Sequence, residues 1–183
     1  MSELKPQGLK KSQILLYGFF GMFLNTFYLM FLAYNRLFYL TNVLQLSTQI
    51  SAVVNTLSVW GNVVTMLLAG AIIEKFTFKS GKFRTWTIIG GIVVGIAFTL
   101  LFANFGLSQG VAGALFVVMF VIQSIGYNTL WVAERSLVGP MSTTAADANS
   151  LAMVAQQGST LGGLIYGVVN PFIMKAVGDP ETV

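Results

Sequence analysis

The chain of 183 residues is 55% hydrophobic and only 9% charged, against about 25% charged residues in soluble domains, which excludes a water-soluble enzyme and a disordered chain alike. It contains no Cys and no His, so disulfide scaffolds, the usual zinc sites, thiol nucleophiles and imidazole acid–base chemistry are excluded as well. Ten basic and six acidic residues give a net charge of +4, and the placement of the cations decides whether that excess is a binding face or a membrane-orientation signal.

A helix needs about 20 mostly apolar residues to cross roughly 30 Å of hydrocarbon. Ser12 to Asn35 is free of charge and predicts a first span near 13–38. Its apolar run is too long for a cleaved signal peptide. Thr41, Asn42, Gln45, Ser47, Thr48 and Gln49 predict an outer loop over Thr41–Gln49. A second span near 48–74 follows and ends at Glu74 and Lys75, where a basic loop over 75–84 begins. Thr85 to Ala133 carries no charge and is too long for one span; Asn104, Gly106, Ser108, Gln109 and Gly110 divide it into spans near 85–104 and 110–134. Ala148 to Met174 predicts a fifth near 148–173. The fold class expected is an all-α membrane protein of five helices.

Lys and Arg set the orientation. If the helices alternate, Lys5, Lys10, Lys11, Lys75, Lys79, Lys82, Arg84 and Arg135 share one side, and only Arg36 and Lys175 lie on the other. This split predicts a protein integral to the plasma membrane, with a cytoplasmic N-terminus and Gly178–Val183 outside. The lipid bilayer is then the partner that explains the charge, and nucleic acid is not one. No nucleophile–base pair or ligand cluster is visible, so neither an enzyme nor a bound cofactor or metal is expected.

The stretch Gly70 to Lys75, followed by Gly81-Lys82-Phe83-Arg84-Thr85-Trp86, reads as a cytoplasmic latch. Gly70 is expected to admit a neighbouring helix, Glu74 to meet a helix N-terminus or a cation, and Lys82 and Arg84 to hold acidic groups or lipid phosphate. Three polar stripes recur at helical spacing: Tyr17, Gly21, Asn25 and Tyr28; Asn55, Ser58, Asn62 and Thr65; Gln123, Tyr127, Trp131 and Glu134. Amides, hydroxyls and aromatic rings of this kind suit a neutral solute such as a sugar, and they equally suit hydrogen bonding between membrane helices. Gly158/Gly162 and Ser159/Gly163/Gly167 in the fifth span are small-residue stripes that predict close helix packing.

The latch stretch resembles the G-x-x-x-D-R…G-R/K loop signature of the major facilitator superfamily. Its ending, G-K-F-R-x-W, is similar to that of the glycoside–pentoside–hexuronide:cation symporter branch. Tyr17-Gly18-Phe19, Ser58-Val59-Trp60, Tyr127-Asn128 with Ser136-Leu137-Val138 and Pro140, and Asp179-Pro180 resemble further motifs of that branch in the right order. The resemblance implies an N-terminal portion of a transporter that moves a small solute, a sugar or glycoside, by rocking two halves around a midplane site. It also implies further C-terminal helices or a partner subunit. The branch's cation-site carboxylates would fall at Gly21, Gly61, Thr65 and near Trp131, and its helix-five Arg near Gln157. None of those charges is present here, so cation coupling of the family kind is not expected. A non-transporting sensor or assembly subunit on the same scaffold, and a solute-binding subunit of a multi-component importer, are the alternatives.

Overall fold

The computed structural model describes residues 9–76, 78, 81–142 and 144–178. Lys5, Lys79, Asp179, Pro180 and the side chain of Lys82 lie outside the described residues. Five long helices make up the fold: α1 (Lys11–Val43), α2 (Thr48–Lys75), α3 (Lys82–Leu101), α4 (Gln109–Ser136) and α5 (Ala145–Gly178), with a short helical turn at Val138–Met141 before α5. The first four are long and apolar enough to cross a membrane. The fifth, at 34 residues, exceeds the length a span requires, and it concentrates Gln156, Gln157, Ser159 and Thr160 in little more than one turn.

Thr41 and Asn42 do not open a loop. They extend α1, whose backbone widens into π-helical turns at Ile14–Gly21 and Tyr39–Val43. Both side chains bond back to carbonyls of the preceding turn, Thr41 Oγ1 to Leu37 O at 3.0 Å and Asn42 Nδ2 to Phe38 O at 3.1 Å. Polar residues that satisfy themselves in this way need not leave a helix. The connection between α1 and α2 is therefore short. Ser47 caps α2 by accepting from Ile50 N, and Gln109 at the start of α4 donates to Gln45 O at 3.0 Å.

The helices gather into two compact units. The first holds α1 up to Arg36 together with the chain from Val138 onward. There α1 and α5 run parallel, because their contacts rise together along both: Gly18 against Leu151 and Ala155, Gly158 against the Phe19 carbonyl, Gly162 against the Phe23 carbonyl. A Cβ on Gly162 would stand 2.6 Å from Phe23 O, so this approach exists only because the position is glycine. Thr26 and Ser159 hydrogen-bond at 2.7 Å between the same helices. Phe19, Phe23 and Phe27 stack along α1 with ring centroids 6.5 and 6.4 Å apart, and Tyr166 meets Phe27 edge-on at 5.5 Å.

The second unit is Leu37–Leu137. Here α2 and α4 are parallel, with Gly113 against Ile50 and Val54 and Gly61 against Val121. α3 and α4 are antiparallel and cross where Gly90 faces Gly126 O and Leu130. Tyr39 packs between Phe102 and Phe116. Parallel α1/α5, parallel α2/α4 and antiparallel α3/α4 are the directions that five successive membrane crossings require. Large apolar side chains remain exposed on several helices, among them Leu67, Val168 and Phe172, as suits surfaces facing lipid.

Candidate functional site

In the second unit the polar stripe of α2 is held by α4. Asn128 Nδ2 donates to Asn62 Oδ1 at 3.1 Å and to Thr65 Oγ1 at 2.9 Å, and the Thr65 hydroxyl donates to Asn62 O at 3.0 Å. Asn62 and Thr65, read from sequence as lining or as interhelical ties, make a tie in this structure. Asn128 is its third member and lay outside the stripes read from sequence. An Asn in a membrane helix calls for a polar partner, and that was the available signal. Ser58 and Gln123 are fully buried and Asn55 is half-buried. Tyr127 and Trp131, both half-buried, stack at 6.3 Å with an interplanar angle of 19°, and the Arg135 guanidinium lies 4.2 Å from the Trp131 ring centroid. That column joins an aromatic face to a cation at the C-terminal end of α4.

In the first unit Asn25 is buried, while Tyr17 and Tyr28 are half-buried. Two groups here were missed by sequence reasoning. Asn35 Nδ2 donates to Tyr166 Oη at 2.8 Å, and Tyr166 Oη donates to Asn170 Oδ1 at 2.6 Å. The other group is the exposed face of α5 bearing Gln156, Gln157 and Thr160, which lines a shallow hollow of about 500 Å³ with Met153, Leu161 and Leu164. Its signal was in the sequence: amides and hydroxyls crowd one turn of a membrane-length helix. The glycines of the same helix drew attention to packing instead.

At the C-terminal end of α2, Glu74 and Lys75 are exposed, as is Arg84 on α3. The close approach expected at Gly70 is not made by any of the described residues, since a Cβ there would meet none of them within 4 Å. Gly81 has φ 104° and opens α3, a conformation that L side chains rarely adopt. Two aromatic residues that the motif does not name pack on the tryptophan that ends it. Phe76 and Phe78 meet Trp86 edge-on at 6.5 and 5.6 Å, and Trp86 Nε1 donates to Phe76 O at 3.3 Å. Among the described residues, no group of three or more His, Cys, Asp or Glu comes together to hold a metal ion.

The family model for MFS/sugar transport proteins matches residues 12–182. The chain belongs to that family. Among curated proteins, the raffinose carrier protein of Pediococcus pentosaceus is 31% identical over 112 residues, which cover 59% of this chain and 17% of the relative. The lactose permease of Lactobacillus delbrueckii subsp. bulgaricus is 29% identical over 119 residues, covering 62% of this chain and 19% of the relative. The aligned stretch thus spans less than a fifth of either relative. No solved structure matches the chain. With this family and four helices suited to crossing a membrane, the chain is an integral membrane protein of a transporter family.

Proposed function

We propose that this chain is the N-terminal part of a secondary transporter that carries a sugar or glycoside across the plasma membrane by alternating access. Its N-terminus is cytoplasmic, and it works with further helices or a partner subunit. The observation that carries the reading is the exposed Gln156, Gln157 and Thr160 face of α5 beside its hollow. Amide groups facing lipid are costly, so this face belongs on a water-filled solute path. Neutral amides that both donate and accept match the hydroxyls of a sugar; separately, within the second unit, the Tyr127–Trp131 stack is an aromatic face of a kind suited to C–H surfaces. Tyr17, Asn25, Tyr28, Asn55, Gln123, Tyr127 and Trp131 remain the candidate contacts from the other helices. Asn62 and Thr65 act through their tie to Asn128. The names of the two relatives, a raffinose carrier and a lactose permease, support the solute class.

The loop with Glu74, Lys75, Gly81, Lys82 and Arg84 is the cytoplasmic latch in this reading, and Gly70 leaves room for an element outside this chain. The six acidic residues are Glu3, Glu74, Glu134, Asp147, Asp179 and Glu181. None stands at mid-span in α1, α2 or α3, so transport is independent of Na⁺. The test is uptake of radiolabelled lactose and raffinose by the full-length protein in proteoliposomes, with and without a Na⁺ gradient. Saturable uptake of either sugar, unchanged by Na⁺, supports the reading. Absence of uptake and of sugar binding in a properly folded preparation refutes it.

A further inference from the structure

The chain of hydrogen bonds from Asn35 to Tyr166 to Asn170 leaves an acceptor over. Asn35 is 5% exposed, and its Nδ2 is engaged by Tyr166. Tyr166 Oη accepts that hydrogen and passes its own to Asn170 Oδ1. Asn35 Oδ1, however, is buried with no hydrogen-bond partner among the described residues. An enclosed acceptor without a donor is costly, and such groups are uncommon in native proteins. A second acceptor lies on the neighbouring helix. Pro171 stands inside α5 and has no N–H to return to the carbonyl of Gly167, four residues back. The space beside Gly167 is open, since a Cβ there would meet nothing within 4 Å. The Tyr34 ring, 62% exposed, stacks on Tyr166 at 5.9 Å. One level of the α1–α5 pair thus presents acceptors in need of hydrogens and an aromatic face open to an apolar surface. It lies about 12 Å from the Val43 end of α1 and about 18 Å from the Gly178 end of α5, at 1.5 Å per residue.

We propose that this level, Tyr34, Asn35, Tyr166 and the Gly167 carbonyl, is a second contact for the sugar, at which Asn35 Oδ1 accepts one solute hydroxyl. The site takes a neutral polyol. Acceptors repel the oxygens of carboxylates and phosphates, and no charged side chain of this group compensates a bare cation. A hydroxyl donor with an apolar C–H face uses both features. Asn35 Oδ1 is enclosed in the present conformation, so the contact forms when the side chains covering that oxygen move aside while the Asn35–Tyr166 bond between α1 and α5 stays in place. The Tyr166 and Asn170 relay fixes which end of the Asn35 amide is left to accept, which makes Tyr166 a positioning residue. The proposal rests on the sugar-transport reading above.

The experiment measures equilibrium binding of lactose, raffinose and a set of singly deoxygenated lactose analogues to the full-length purified protein and to Asn35→Leu and Tyr166→Phe variants. Wild type should bind one analogue roughly five- to tenfold more weakly than lactose, the size of one lost neutral hydrogen bond. Asn35→Leu should bind lactose and that analogue alike, and Tyr166→Phe should narrow the gap while retaining the aromatic stack. Should Asn35→Leu fail to fold, Tyr166→Phe alone decides. An undiminished gap in the folded variants overturns the hydroxyl contact and leaves the transport reading standing. Failure of the wild-type protein to bind any of these sugars overturns both.

Discussion

Gly162→Ala tests the parallel packing of α1 on α5 directly. A Cβ at position 162 would lie 2.6 Å from Phe23 O, where ordinary contact begins near 3.4 Å, so the two helices must part by about 0.8 Å at this point. The neighbouring Thr26–Ser159 hydrogen bond, at 2.7 Å, and the aromatic contact of Phe27 with Tyr166 stretch with them. Overpacking of this kind costs about 1–3 kcal/mol. Alanine returns at most about 1 kcal/mol of helix propensity. Gly163→Ala is the matched control one residue on, because its Cβ would find only Thr26 Cγ2, at 4.0 Å. It keeps the propensity gain without displacing anything. The 162 variant should therefore be about 1–3 kcal/mol less stable than the 163 variant, with the 162 variant alone falling below wild type. Unfolding of purified protein in mixed micelles titrated with SDS reads the difference. Equal stability of the two alanine variants, or a stabilised Gly162→Ala, would refute the close α1–α5 approach.

Four other outcomes follow from the same structure. Asn128→Leu removes the donor shared by Asn62 and Thr65 and should destabilise the protein by about 1 kcal/mol in the same titration, at roughly 0.6 kcal/mol per interhelical bond. Gly81→Ala forces a side chain into φ 104° and should cost about 1–3 kcal/mol, read as faster hydrogen exchange at the start of α3. With the N-terminus cytoplasmic, Phe105→Cys in the α3–α4 connection should react with an impermeant thiol reagent in intact cells, whereas Lys75→Cys should not; the chain has no native Cys to confuse the labelling. Replacing Glu74 and Lys75 together by Ala should slow sugar exchange across the membrane while leaving sugar affinity within about twofold, as expected of a surface latch away from the solute; the reverse pattern would place them at the solute instead.

The helices were legible because membrane insertion is written in one dimension. Runs free of charge set the spans, and Asn104 to Gly110 marked the break between α3 and α4. The ends were less legible. Thr41 and Asn42 look like loop residues in a list of polarities, yet they satisfy themselves on α1's own carbonyls. Gly158 and Gly162 announced a close contact but not its partner, which proved to be the Phe19 and Phe23 carbonyls on a parallel helix some 140 residues earlier in the chain. The polar stripes stated which residues share a helix face, and nothing in that periodicity says which face meets which. Asn62 and Thr65 were thereby ambiguous until Asn128 stood within 3.1 Å of both. Tyr166 and Asn170 are one turn apart on α5, but no periodicity linked either to Asn35 on α1. Fold class and the number of helices follow from local apolarity, which each segment carries by itself. Which polar groups satisfy one another, and which are left over for a solute, depends on distances between segments remote in sequence, and those are set only when the helices pack.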